Sequence, residues 1–170
     1  MLGREEAFVE HLQRLAQEQD RAALAALRSG LAQPDCVAAA MHPHVVPFLA
    51  DQRDWDDWRF YLVGALFAWH PRSAGTRNLG ESFRAISDLS ESVEARLIAL
   101  LNAHRDDVPS HLRQAIGLLR SKDVPVNWAR LLRDLGAWDH PDRWVQRAWA
   151  RRFYRHERAE TPESENGGTP

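Results

Sequence analysis

Arg143, Arg147, Arg151, Arg155 and Arg158 follow one another at steps of three or four residues near the end of a 170-residue chain. Wound into an α-helix at about 100° per residue, they fall within one arc roughly 120° wide. A guanidinium stays protonated at neutral pH, so its chemistry is anion recognition, above all the forked contact with phosphate or carboxylate oxygens. Like charges four residues apart cost an isolated helix about 0.2–0.5 kcal/mol per pair. No Glu stands between Arg143 and Arg155, so the ladder calls for an anionic counterpart from outside the helix. Val145, Ala148, Trp149 and Phe153 fall on the opposite side and are expected in the core. Arg152 sits within that apolar arc, where an arginine ordinarily snorkels or pairs with a carboxylate. Trp144 borders the arginine arc and Tyr154 lies inside it, placed either for stacking on bases or for amphipathic packing.

Two earlier segments repeat the arrangement. Arg113 and Arg120 lie two turns apart, opposite Leu112, Ile116 and Leu119; Arg130 and Arg133 lie opposite a Trp128–Leu135 stripe, with Asp134 diluting their charge. Three such helices make one basic surface if they pack side by side; the plainer reading of each is a solvated face or a set of salt bridges. Charge by region favours the former. Residues 1–104 balance at −4, residues 105–158 at +5 and residues 159–170 at −3, while the whole chain carries only −2. Lys122 is the only lysine, so position rather than total must carry the argument.

Other chemistries find less support. DQRDWDDW (51–58) gathers carboxylates, but acids at a helix start are favoured by capping and the helix dipole. His42-Pro43-His44 offers two imidazoles without a completing ligand set and reads as a loop. A metal-dependent hydrolase would have to be built from Asp54, Asp56, Asp57 and these histidines. GxSxG, Walker A, GxGxxG and Cys–His nucleophile patterns are absent. Cys36 is the lone cysteine, which excludes a disulfide framework. The N-terminus is charged and amphipathic, unlike a signal peptide, and no apolar run reaches the length of a bilayer span. A cytoplasmic protein without metal or cofactor is expected.

The elements that must position these residues are helical, because the 3.6-residue period runs through almost every segment. Phe8, Leu12, Leu15 and Ala16 mark the first stripe. Asp20 caps a short second helix ending at Gly30, and Pro34-Asp35 opens another before the breaker-rich HPHVVP. Asp54 caps an apolar helix carrying Trp55, Trp58, Leu62, Leu66 and Trp69, which Pro71 ends. After a loop at 70–80 come a short helix around Phe83–Ile86 and a longer one with Val93, Leu97, Leu100 and Leu101. Pro109-Ser110 starts a helix through Ser121, the Trp128 stripe makes the next, and the last runs from about Asp142 to Glu157. Most of the seven tryptophans, Trp58, Trp69, Trp128 and Trp149 among them, belong to the core. The expected fold class is all-α: a compact bundle of roughly eight or nine short helices. Residues 1–158 form one domain, or two small lobes meeting at the 70–80 loop, and 159–170 a disordered acidic tail.

DRAALAALRSG (20–30), FYLVGALFAWHP (60–71), NLGESF (78–83) and above all LLRSKDVPVNWARLLRDLGAWDHPDRWVQRAWARRFYR (118–155) resemble CasB. CasB is the small subunit of Cascade, the type I-E CRISPR surveillance complex. The resemblance spans most of residues 8–155 and rests on the order and spacing of these blocks. It implies a non-enzymatic, all-α subunit that pairs with a second copy and contacts the large and backbone subunits of Cascade. Its basic surface would steady the crRNA–target DNA hybrid and the displaced DNA strand during R-loop formation, with no membrane involved. The family's basic positions carry over to Arg28, Arg113, Arg120 and Lys122, and to Arg130, Arg133, Arg143, Arg147, Arg151 and Arg155 of the last two helices. Ser29 stands where many relatives have a second arginine, so that helix offers one cation where theirs offer two. Strand exchange between duplex and hybrid is nearly balanced in free energy, so contacts to the backbone can tip it without reading sequence. The competing expectation is a helical protein–protein interaction module whose basic face docks an acidic partner.

Overall fold

α4 (Trp58–Trp69) is apolar all the way round, and the fold is built about it. Phe60, Leu62, Val63, Ala65 and Leu66 are all fully buried. Around it pack α1 (Arg4–Gln17), α2 (Arg21–Arg28), α3 (His42–Val45) and α8 (Trp128–Gly136), with α7 (Val108–Ser121) touching it as well. The remaining helices pair among themselves: α5 (Leu79–Arg84) lies against α9 (Trp144–Tyr154), and α6 (Ser92–Leu101) against α7 and α5. The structure, a computed structural model, describes residues 1–75, 77–89 and 91–155. Among these the fold is all-α, with nine α-helices and short 3₁₀ turns. One isolated bridge, Ser73 to Val126, pins the 70–78 loop to the segment before α8. His70 Nε2 lies 2.7 Å from the Val124 carbonyl, and the Trp128 indole N–H donates to the Arg72 carbonyl at 3.1 Å.

Most sequence expectations hold to within a residue or two. Asp20 caps α2 through the Ala23 N–H, as Asn127 caps α8 through the Arg130 N–H. Five differ. Pro34-Asp35 forms a turn, while HPHV, read as a breaker, is helical, because proline is tolerated in a helix's first turn. Asp54 begins a separate 3₁₀ turn (Asp54–Asp56) and does not cap α4, which leaves Trp55 61% exposed. The short helix after the loop starts at Leu79, earlier than Phe83, because Asn78 caps it. Arg143 adopts a left-handed backbone, φ 49°, just before α9, and Arg155 turns extended after it. Only Arg147 and Arg151 of the expected ladder therefore lie within the helix. Arg158 and the acidic tail 159–170 fall outside the described residues.

One buried charge cluster locks α1 to α4 and α8. Arg59 donates to both oxygens of Asp56, at 2.6 and 2.7 Å, to Glu5 at 2.8 Å and to the Leu132 carbonyl at 2.8 Å. Arg4 adds a bond of 2.7 Å to Asp56. Burial alone would raise the Asp56 and Glu5 pKa values, but hydrogen bonds from and the charge of Arg59 outweigh it and hold both below the ordinary range.

Candidate nucleic-acid interface

The seat of α9 determines which of its arginines face outward. Trp149 is fully buried, packs on Trp138 with ring centroids 5.3 Å apart, and donates its indole N–H to Asp134 at 2.7 Å. Gln146, also buried, donates to the Trp138 carbonyl at 2.9 Å. On the α5 side, a Cβ on Gly80 would stand 2.0 Å from the Trp149 carbonyl oxygen, so only glycine permits this approach. Arg152 pairs with Glu81 of α5 at 3.2 Å, the carboxylate partner expected of an arginine in the apolar arc. Arg147 and Arg151 are left on the outer face, both exposed.

The structure gives the ten basic residues of the sequence reading three kinds of surroundings. Arg28, Lys122, Arg151 and Arg155 are exposed, and their side chains make no hydrogen bond or ion pair among the described residues. Arg113, Arg120, Arg143 and Arg147 donate to neutral acceptors. Arg113 reaches the Gln33 carbonyl and Cys36 Sγ, at 3.0 and 3.1 Å. Arg120 binds the Trp69 carbonyl at 3.0 Å and lies over that indole at 5.3 Å. Arg143 closes the C-terminal end of α6 at the Leu101 carbonyl, and Arg147 binds the Asp142 carbonyl. A carbonyl takes up donors without cancelling charge, so these four remain full cations with spare N–H groups. Arg130 and Arg133 alone face carboxylates: Asp134 at 3.0 Å and Glu6 at 3.3 Å.

The main packing partners of the three arginine-bearing helices are not one another, although α8 and α9 meet at the buried Asp134–Trp149 bond. α7 packs on α6, α8 on α4 and α1, and α9 on α5. Asp134 proves to be a buried structural acid; burial raises its pKa despite the donors from Trp149 and Arg130. Trp144 is 43% exposed, available for stacking, whereas the Tyr154 hydroxyl donates to Glu94 at 2.6 Å and its ring packs on Phe153. Sequence reasoning passed over Arg77 and Arg84, which stand with Arg152 and Arg155 around one cavity. No periodicity could unite them, because Arg77 precedes α5 and the pairing of α5 with α9 is tertiary.

The residues weighed for hydrolysis do not converge. Asp56 is held by Arg59 and Arg4; His42 lies 2.8 Å from the Tyr61 hydroxyl, and His44 stacks on His11. Among the described residues, no group of three His, Cys, Asp or Glu is arranged to hold a metal ion. None of their helices is long and apolar enough to cross a membrane.

Comparison with known proteins places this geometry in context. The family model for CRISPR-associated protein Cse2 matches residues 23–154. A CRISPR-associated protein Cse2 from Thermus thermophilus is 40% identical over 153 residues, 88% of this chain and 89% of that one. The crystal structure of CasB from Thermus thermophilus matches with a TM-score of 0.79 at 38% identity, covering 90% of this chain and 99% of that chain. A chain of a CRISPR RNA-guided surveillance complex matches with a TM-score of 0.75 at 34% identity, over 88% and 91% of the two chains.

Proposed function

This chain belongs to the Cse2 family of CRISPR-associated proteins, and from that premise we propose that it is the non-catalytic small subunit of a Cascade ribonucleoprotein. In this role it pairs with a second copy, contacts the large and backbone subunits, and holds target DNA strands against its basic helical surface while the R-loop forms. The observation that carries the reading is the outer face of α9, where Arg147 and Arg151 stand exposed with no carboxylate partner. Arg143 and Arg155 flank the helix just outside its two ends. Cations left uncompensated along one helix suit the even charge of a phosphate backbone, which positions without specifying sequence. A subunit that binds DNA weakly alone gains from being held beside it by its neighbours.

Anisotropy of labelled single-stranded and duplex DNA over a salt series tests this. Affinity is expected to fall steeply with salt, and R147E with R151E to weaken binding at least roughly tenfold and flatten the log–log slope by about 1 per lost contact. A slope near zero, or no loss in the double variant, overturns the proposal. DNA affinity unchanged while assembly fails would instead identify the face as a dock for an acidic protein partner.

A further inference from the structure

We propose that the cleft between α5 and the end of α9 is a phosphate-binding site, formed by Arg77, Arg84, Arg152 and Arg155, where a nucleic-acid backbone leaves the face of α9. That the phosphate belongs to a nucleic acid rests on the function proposed above; that the cleft takes phosphate does not. The cavity measures about 620 Å³ and is lined by these four arginines, Glu81 and Ala85. Its walls are fixed by the α5–α9 contact at Gly80, so the guanidiniums are gathered by packing and not by sequence proximity. Glu81 and Arg84 are one turn apart on α5, and Arg152 and Arg155 are three residues apart on the other wall.

Among the described residues, Glu81 is the only acid lining the cavity, and it is already paired with Arg152 at 3.2 Å. The guanidiniums of Arg77, Arg84 and Arg155 make no ion pair or hydrogen bond among the described residues. The C-terminal ends of α5 and α9 offer at most about half a negative charge each. Setting these against three unpaired guanidiniums leaves an excess near two positive charges, confined to a concavity where the potential is focused. Such an excess is destabilising without an anion and matches one doubly charged phosphate or two phosphodiesters.

The lining also selects the class of anion. Among the described residues it contains no aromatic ring on which a base could stack, whereas forked guanidiniums suit the oxygens of phosphate. Arg155 lines this cleft and stands just past the C-terminal end of α9, so a strand lying along Arg147 and Arg151 toward that end reaches it.

Binding of inorganic tripolyphosphate to the full chain, measured by calorimetry, tests the cleft apart from the function. R77A with R84A is expected to weaken tripolyphosphate at least roughly tenfold, with thermal melting unchanged; R155A alone should give a smaller loss, and R147E with R151E little. Wild type that fails to bind tripolyphosphate, or binding unchanged in R77A/R84A, overturns the site. So does a glutamate-rich peptide of equal charge that binds the wild type more tightly than tripolyphosphate and loses affinity in R77A/R84A, since the cleft would then be a carboxylate dock. Oligonucleotide anisotropy on the same proteins separates the two readings. If R147E/R151E loses DNA and R77A/R84A does not, the α9 face stands and the backbone does not enter the cleft.

Discussion

Asp56 and Arg59 meet at 2.6 Å inside the core, both 5% exposed at the side chain, with Glu5 closing the network from α1. Removing Arg59 takes the bidentate partner from buried Asp56, leaving it Arg4 alone, and strips Glu5 of its ion pair, so Arg59→Ala should cost about 3–5 kcal/mol, read as a fall in the urea midpoint. Nothing in DQRDWDDWRF marks Arg59 as internal, because its partner Glu5 arrives from another helix and its carbonyl acceptor, Leu132, from a third. Acid should act on this fold in two stages. Burial, with the nearby charges of Arg14 and His44, lowers the pKa of His11, whose Nε2 is buried without a partner. The unfolded chain therefore binds a proton at His11 that the native state resists, and stability falls as pH drops through the ordinary histidine range near 6.5. Asp56 and Glu5, held below their ordinary values, contribute stability at neutral pH that is lost as pH falls through the carboxylate range and below it. Denaturation midpoints across pH 7 to 5 should decline in wild type and flatten in His11→Gln; equal slopes would contradict the role of His11.

At the scale of elements, the clasp of α5 on α9 determines how the basic residues are displayed. Gly80→Ala drives a methyl into the Trp149 carbonyl and should destabilise by about 1–3 kcal/mol or more, lowering the melting temperature by several degrees. Trp149→Phe keeps an aromatic ring but leaves a small void and one oxygen of buried Asp134 without its donor, the latter alone costing about 1–3 kcal/mol. A melting temperature unchanged in both variants would contradict the clasp. The helices themselves were legible from periodicity: the stripes of α1, α6, α7 and α8 predict what is buried. What periodicity could not show was polar burial and backbone sign. Asp134 sits on a stretch that reads as surface, yet it is enclosed where α9 meets α8 and accepts from the Trp149 indole. Arg143 continues the four-residue spacing in sequence while its left-handed φ takes it out of the helix.

Across the whole molecule, the modest net charge averages an acidic first part with a basic late one, and counting residues is enough to see this. Where the basic part points is decided by packing. The arginines of α7 reach Gln33, Cys36 and Trp69, Arg133 of α8 reaches Glu6, and the cations without a carboxylate partner include those on the outer face of α9 and beside α5. DNA binding should accordingly depend more on Arg147 and Arg151 than on Arg130 and Arg133, whose charge Asp134 and Glu6 already meet. Anisotropy should show R130A/R133A within about threefold of wild type while R147E/R151E loses tenfold or more; the reverse order would contradict this ranking. The central claim is that this face holds DNA strands within a surveillance complex. Its most direct test is R-loop formation, followed by permanganate reactivity of the displaced strand, in a Cascade complex reconstituted with wild type or R147E/R151E. The double variant should assemble at wild-type stoichiometry and open the target at least roughly tenfold less well at equal salt. Full assembly with undiminished R-loop formation would contradict it.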